Sequence, residues 1–272
     1  MKRPLILFAL FFIIGFQASA QLAGTPPVGP VSMSLGGVSS PLSNSWSIFN
    51  NPGGLALHHQ FDAVFGYQTI FDFAPFNTAS AGLNYHADFG TTSLGFYRFG
   101  DNLFNSTMAS IGFGRRIGII SLGAKVNYLQ YNIDGFGKKG LAVLEMGAIG
   151  EISPKFNFGM HIYNFTQSVI NKDTGEKVPV LIRLSAQYKL NQQINIYAEG
   201  EKDVDQAADL RLGLAYKVIK ELELRTGFST ETNRMTFGAG IDISRFTVDY
   251  AIKANETISA THNFGLTYRF TD

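Results

Sequence analysis

The chain has 272 residues, 16% of them charged, with a formal net charge of +1. An ordinary soluble domain carries about 25% charged residues; here 29 Gly, 24 Phe and 11 Tyr take up the difference while the apolar share stays at 45%. The near-neutral balance offers no footing for a nucleic-acid partner, and the absence of cysteine excludes disulfides, thiolate metal sites and a lipid-modified cysteine.

The first residues, MKRPLILFALFFIIGFQASA, place Lys2 and Arg3 before an apolar run from Leu5 to Phe16 and the small residues Ala18-Ser19-Ala20. This order predicts a secretory signal peptide over residues 1–20, because the run is too short and too near the terminus for a membrane anchor. Residues 21–60 follow, with the uncharged stretch SLGGVSSPLSNSWSIFNNPGGLAL and the only tryptophan, Trp46. Gly, Ser and Asn make tight turns and bring hydrogen-bonding groups without unpaired charge, which suits a segment enclosed in a lumen.

From residue 61 to the end, apolar residues alternate with polar ones at period two. The alternation is strictest in DLRLGLAYKV, where Leu210, Leu212, Leu214 and Tyr216 oppose Asp209, Arg211, Gly213 and Ala215. Helical spacing would scatter the charges around an axis, so strands are predicted. The pattern places them near 61–71, 77–88, 91–100, 106–116, 118–131, 140–152, 155–166, 178–190, 192–202, 209–218, 221–229, 234–243, 246–253 and 263–270, with poor alternation in the second strand and around Leu129 to Phe136. Connections alternate between short (DFGT, RIG, ISPK) and mostly longer (GDNLFNS, TQSVINKDTGEKVP), as periplasmic turns and outer loops do in membrane barrels. A secreted β-sandwich, the competing architecture, would carry more Lys and Glu on its solvated face.

The predicted fold is therefore all-β: a transmembrane antiparallel β-barrel of about 14 strands over residues 61–272, with an N-terminal hatch over residues 21–60 plugging the lumen. Its inward faces present a mixed-sign set that includes Glu199, Asp209, Arg211, Glu223, Arg225, Arg234, Asp242, Asp249 and Arg269. A selective pore favours a ring of one sign; mixed signs predict internal ion pairs that satisfy buried charge and hold the hatch. Tyr67, Tyr85, Tyr188, Tyr216, Tyr250 and Tyr268 fall on outward faces, as interfacial girdle residues do. The five histidines, His58, His59, His86, His161 and His262, show no metal-ligand spacing, and no motif joins a nucleophile to a base. No catalytic residue, metal or cofactor is predicted.

The hatch stretch resembles the N-terminal segment of the FadL-like outer-membrane family, which includes long-chain fatty-acid transporters and the PorV/PorQ-type proteins of the type IX secretion system of Bacteroidetes. In that family a Met-Gly-Gly-Ala element leads through small residues to Asn-Pro-Ala-Gly-Leu. The matching positions are Leu35, Gly36, Gly37 and Val38, then Asn51, Pro52, Gly53, Gly54 and Leu55. The endings ELELRTGF and THNFGLTYRF are similar to the last strands of PorV-type proteins. Family hatches carry acidic residues before the Asn-Pro element, where this chain has Ser43, Asn44 and Ser45. The resemblance implies a Gram-negative outer-membrane location, with membrane lipid as the surrounding solvent, and two functions. One is a non-enzymatic docking component of protein secretion that contacts other envelope proteins; the other is a transporter for hydrophobic small molecules such as fatty acids. Short outer loops and a charge-balanced lumen favour the first.

Overall fold

A computed structural model describes residues 27–171, 175–204, 207–254 and 259–270; the predicted signal peptide lies outside them. Among the described residues the strands are β1 (Asp62–Thr69), β2 (Thr78–Ala87), β3 (Gly90–Gly100), β4 (Phe104–Ile117), β5 (Ile120–Ile133), β6 (Gly137–Ser153), β7 (Phe156–Tyr163), β8 (Val169–Asn171), β9 (Glu176–Lys177), β10 (Leu181–Lys189), β11 (Ile194–Asp203), β12 (Asp209–Ile219), β13 (Leu222–Ser229), β14 (Arg234–Ile243), β15 (Phe246–Lys253) and β16 (Thr261–Arg269). All but β8 and β9 form one closed antiparallel barrel of fourteen strands, in which β1 pairs with β2 on one side and β16 on the other. Closure leaves no sheet edge with unpaired backbone groups, the condition for a sheet to sit in lipid. Each predicted strand overlaps an observed one. The short β8–β9 ribbon has no counterpart among the predicted strands; it lies in the connection between β7 and β10, where Asn164 Nδ2 donates to Val178 O at 2.8 Å and draws Ile170 and Val178 into the buried apolar cluster.

One face of each strand is apolar and exposed, including Phe65, Leu94, Ile111, Leu184, Leu212, Phe237 and Phe264. An exterior of this kind is stable against hydrocarbon and not against water. Tyr67, Tyr85, Tyr188 and Tyr216 are exposed on it, while Tyr250 also faces outward and its hydroxyl bonds His262 Nδ1 at 2.7 Å. The weak alternation near Leu129 has a packing cause. Leu129 faces inward and is buried with Met108, Val143, Tyr97 and Tyr163, so apolar side chains occupy both faces of the wall there.

The chain before β1 runs inside the barrel. It forms α1 (Pro30–Ser34), α2 (Ser47–Asn50) and a 3-10 helix over Pro52–Leu57. Leu35, Val38, Ile48 and Leu55 are fully buried. Asn50 ties the start of the segment to its middle, accepting from Val28 N at 2.8 Å and donating to Val28 O at 2.9 Å. Asn51 caps the 3-10 helix, its side chain accepting from Gly53 N at 2.9 Å and donating to Ser40 O at 2.5 Å. The surrounding wall is built from glycine where it approaches this segment. A Cβ added at Gly114 would meet Ala56 N at 2.7 Å and one at Gly265 would meet Pro30 Cγ at 2.6 Å; at Gly123 and Gly227 it would overlap Pro52 O and Gly36 N.

Side chains at Gly114, Gly123 and Gly227 therefore have to displace backbone, whereas a Cβ added at Gly200 would meet nothing within 4 Å. Gly123→Val and Gly227→Val are expected to lower stability by about 1–3 kcal/mol, and Gly200→Val to leave it unchanged. The midpoint of the heat-dependent mobility shift of the folded barrel on denaturing gels measures this; equal midpoints for all three variants would contradict the packing.

Candidate functional site

The described lumen leaves spaces of different character around the N-terminal segment, a small one beside Gly36 and Gly37 being lined by Arg211, Glu231 and Lys253. Toward the longer connections lies a cavity of about 300 Å³, lined by Val28 and by wall residues such as Gln68, Tyr97, Phe99, Phe104 and Tyr131. Toward the short turns lies a larger space of about 810 Å³ whose lining includes His58, Arg116, Glu151, Arg225 and Arg269. The cavity is walled by aromatic rings, the larger space by charges. Trp46 stands between them: it lines the lower space, and its ring packs against Gly29 and Gly66, which line the upper one. A large planar side chain at that point is accommodated because both neighbours lack a Cβ.

Strand register explains how the lumen charges meet. Antiparallel pairing sets Glu199 opposite Arg211, Arg183 opposite Glu201 and Lys125 opposite Glu145. Directly opposed residues on one face of a sheet are close enough to pair. Glu199 accepts from Ser39 N at 3.0 Å, Ser40 N at 2.6 Å and Ser40 Oγ at 2.6 Å, so one buried carboxylate holds two successive backbone amides of the N-terminal segment. Arg211 reaches Glu199 at 3.4 Å, Asp209 at 2.6 Å and Glu201 at 2.5 Å, and its Nη1 donates to Gly37 O at 3.2 Å. On the same side Gly36 N donates to Thr236 Oγ1 at 3.0 Å, and Thr236 Oγ1 donates to Ser34 O at 3.1 Å.

The single lumen network expected from sequence is in fact several separate groups. Glu199, Asp209 and Arg211 form the one that grips the segment. Glu223, Arg225 and Asp249 form a second, with Arg225 at 2.6 Å from Glu223 and 2.7 Å from Asp249. Arg225 and Asp249 sit on strands separated by β14, and they meet across Gly240, where a Cβ would lie 2.6 Å from Arg225 Nη2. Asp242 does not belong to a buried network: it pairs with Arg269 at 3.3 Å at the short-turn end, with its side chain half exposed. Arg234 stands at the start of β14, opposite Ser229, which is itself opposite Arg211. The separation follows from height along the strands, which alternation cannot report.

A further group joins the first through the Arg183–Glu201 pair; the alternation marks Lys125, Glu145 and Arg183 as lumen-facing, but sequence reasoning missed the part of His161. His161 Nε2 lies 2.8 Å from Glu145, which also pairs with Lys125 at 2.9 Å, and His161 Nδ1 faces Arg183 Nη1 at 3.2 Å. Lys125 Nζ then reaches Phe49 O of the segment at 3.4 Å. A lone histidine within a strand carries no motif, and only its register opposite Arg183 could have signalled the contact. The hatch residues read from sequence are all placed in the lumen: Gly36 and Gly37 against β12–β14, Trp46 between the compartments, and Asn51, Pro52, Gly53, Gly54 and Leu55 against β4–β6 or the segment itself.

At the short-turn end His58 Nε2 pairs with Asp62 Oδ2 at 2.8 Å, and Asp62 also accepts from Ser45 at 2.5 Å and Asn84 at 2.6 Å. His59 Nδ1 lies 3.1 Å from His86 Nε2. Partial burial, then the neighbouring His86 and His58, hold the His59 imidazole below its ordinary pKa. Among the described residues no cluster of three or more His, Asp or Glu could hold a metal ion.

No family model matches the chain, and no curated protein does. Solved structures do match. The toluene transporter TbuX of Ralstonia pickettii aligns with TM-score 0.69 and 11% identity, covering 90% of this chain and 99% of its own. The fold is similar to that of a toluene transporter. The monoaromatic hydrocarbon channel CymD aligns with TM-score 0.71 and 11% identity over 90% of this chain and 98% of its own. TodX, a toluene transporter of Pseudomonas putida, aligns with TM-score 0.67 and 12% identity over 92% and 99%. At such identity the likeness establishes the barrel architecture and no residue roles.

Breaking the Glu199 contact tests the grip on the segment. Glu199→Ala removes the acceptor of two amides and leaves the guanidinium of Arg211 with one partner fewer, a loss of about 3 kcal/mol. The Ser39 and Ser40 amides are expected to exchange with solvent about 100-fold faster, read by hydrogen-exchange mass spectrometry, while Asp242→Ala at the barrel end leaves them unchanged.

Proposed function

We propose that this chain is an outer-membrane channel for small hydrophobic molecules, closed in the described state by its N-terminal segment acting as a plug. The observation that carries the reading is the aromatic-walled cavity on the loop side of that segment. At about 300 Å³ it falls at the lower end of small-molecule pockets, and an apolar cavity of about half that volume already accepts benzene. An apolar exterior and a predicted export signal support an outer-membrane location. The structures that share the fold are named as transporters of toluene or channels for monoaromatic hydrocarbons, which supports the same reading.

The docking role implied by the PorV/PorQ resemblance draws support from the sequence resemblance alone, and transport takes precedence over it. Short outer loops do not weigh against transport here, because the cavity is built mainly from the wall and the plug, with Ile70, Val178 and Pro179 as the loop contribution. In this reading the chain performs no catalysis. A ligand enters the aromatic chamber, and passage to the polar space below requires the plug to shift. The ion pairs that hold the plug then set how often it shifts, since a displacement must break buried charge contacts.

Two measurements test this. Cells exporting the chain to the outer membrane should take up labelled toluene faster than cells without it, and Ser80→Trp, which fills the cavity from β2, should abolish the gain; equal uptake in all three strains would refute transport. Deleting residues 30–56 should raise ion conductance in planar bilayers by an order of magnitude or more, because a barrel of this strand number without filling is an open pore.

A further inference from the structure

The upper cavity differs from the rest of the lumen in one respect that bears on its ligand. Among the described residues its lining contains no Asp, Glu, Lys, Arg or His. The buried ion pairs contact the N-terminal segment instead: Glu199 at Ser39 and Ser40, Arg211 at Gly37, Lys125 at Phe49. A carboxylate entering the cavity would lose its hydration and meet no counter-charge in the lining. An ionised fatty acid is therefore a poor fit, although its hydrocarbon part would not be.

The lining is not wholly apolar either. Asn263 Nδ2, on β16, donates to Gln68 Oε1, on β1, at 2.9 Å. This bond uses one donor of Asn263 and the acceptor of Gln68. Among the described residues the Gln68 amide nitrogen and Asn263 Oδ1 make no other hydrogen bond, although Asn263 is only 3% exposed. One wall thus offers a free donor and a free acceptor side by side, while Tyr97, Phe99, Phe104 and Tyr131 supply ring surface. A bare hydrocarbon that displaced water from this wall would leave both amide groups unpaired, which sites built around such groups penalise strongly.

Resting on the channel reading above, we infer that the cavity takes an uncharged ligand of about one aromatic ring that carries a single hydrogen-bonding group, of the phenol or aromatic-alcohol class. The ring occupies the space between the aromatic side chains, and the hydroxyl accepts from Gln68 Nε2 or donates to Asn263 Oδ1.

The molecule contains its own reporter. Trp46, the only tryptophan, packs against Gly29 and Gly66 in the cavity floor. The mature protein in lipid nanodiscs at pH 7 is titrated with p-cresol, toluene and benzoate, with Trp46 fluorescence and calorimetry read in parallel. p-Cresol should bind at least ~100-fold more tightly than benzoate. The Gln68→Leu, Asn263→Leu double variant should weaken p-cresol by about tenfold, the value of one hydrogen bond, and bind toluene more tightly, because no amide is then left unpaired. Should the double variant fail to give a folded barrel, Gln68→Met alone is read in the same way. Equal losses for p-cresol and toluene, or benzoate bound as tightly as p-cresol, would overturn the inference and leave the channel standing. If none of the three probes binds by either readout, the channel reading itself fails.

Discussion

A closed sheet of fourteen strands encloses more space than its own inward side chains fill when those positions are held by glycine, serine and threonine. The structure meets this constraint by bringing the first described residues of the chain into the lumen, and most other features follow from the fit between that segment and its wall. Where backbone meets backbone, at Gly123 with Pro52 and at Gly227 with Gly36, the wall has no side chain at all. Where the wall carries side chains, they hydrogen-bond the segment, as Thr236 does at Gly36 and Ser34. Apolar burial of Leu35, Val38, Ile48 and Leu55 supplies the non-directional part of the attraction, and Glu199 and Asn51 fix the orientation.

The electrostatics of the lumen serve this arrangement. A carboxylate buried without partners would neutralise itself or expel the segment. Glu199 avoids both outcomes by accepting from two amides and a hydroxyl while facing Arg211 across the strand pair. Arg211 in turn is shared among three carboxylates, so no single contact carries its charge. Charges of both signs line the plug and the space beneath it, and among the described residues none lines the aromatic chamber. The aromatic chamber and the space below Trp46 thereby differ as solvent environments.

Much of the architecture was legible in the residues. DLRLGLAYKV and its successors alternate because one side meets lipid and the other meets charge, and both preferences point the same way. The alternation failed near Leu129, where Leu129 and Tyr131 turn inward onto other apolar groups and the contrast between faces disappears. The segment that runs inside the barrel is the uncharged, turn-rich stretch before the first strand. The chamber was not legible: no local pattern groups Tyr97, Tyr131 and Tyr163, which lie on different strands and meet only on the inner face, and Gln68 and Asn263 come from opposite ends of the barrel chain, joined only by closure. The lumen charges were identified, but their sorting into separate groups depends on heights along the strands that no local pattern encodes.

The glycine map of the wall has a consequence for how such a chain can change. The bare positions at Gly114, Gly123, Gly227 and Gly265 record the path of the leading segment, so the two parts of the molecule form a matched pair, like a casting and its mould. A leading segment grafted from a distant relative would arrive with a different path and find its bulges facing branched side chains. Substitutions in the stopper and in the staves around it are thus tied together, while the lipid-facing surface, which matches nothing so specific, is left free to drift.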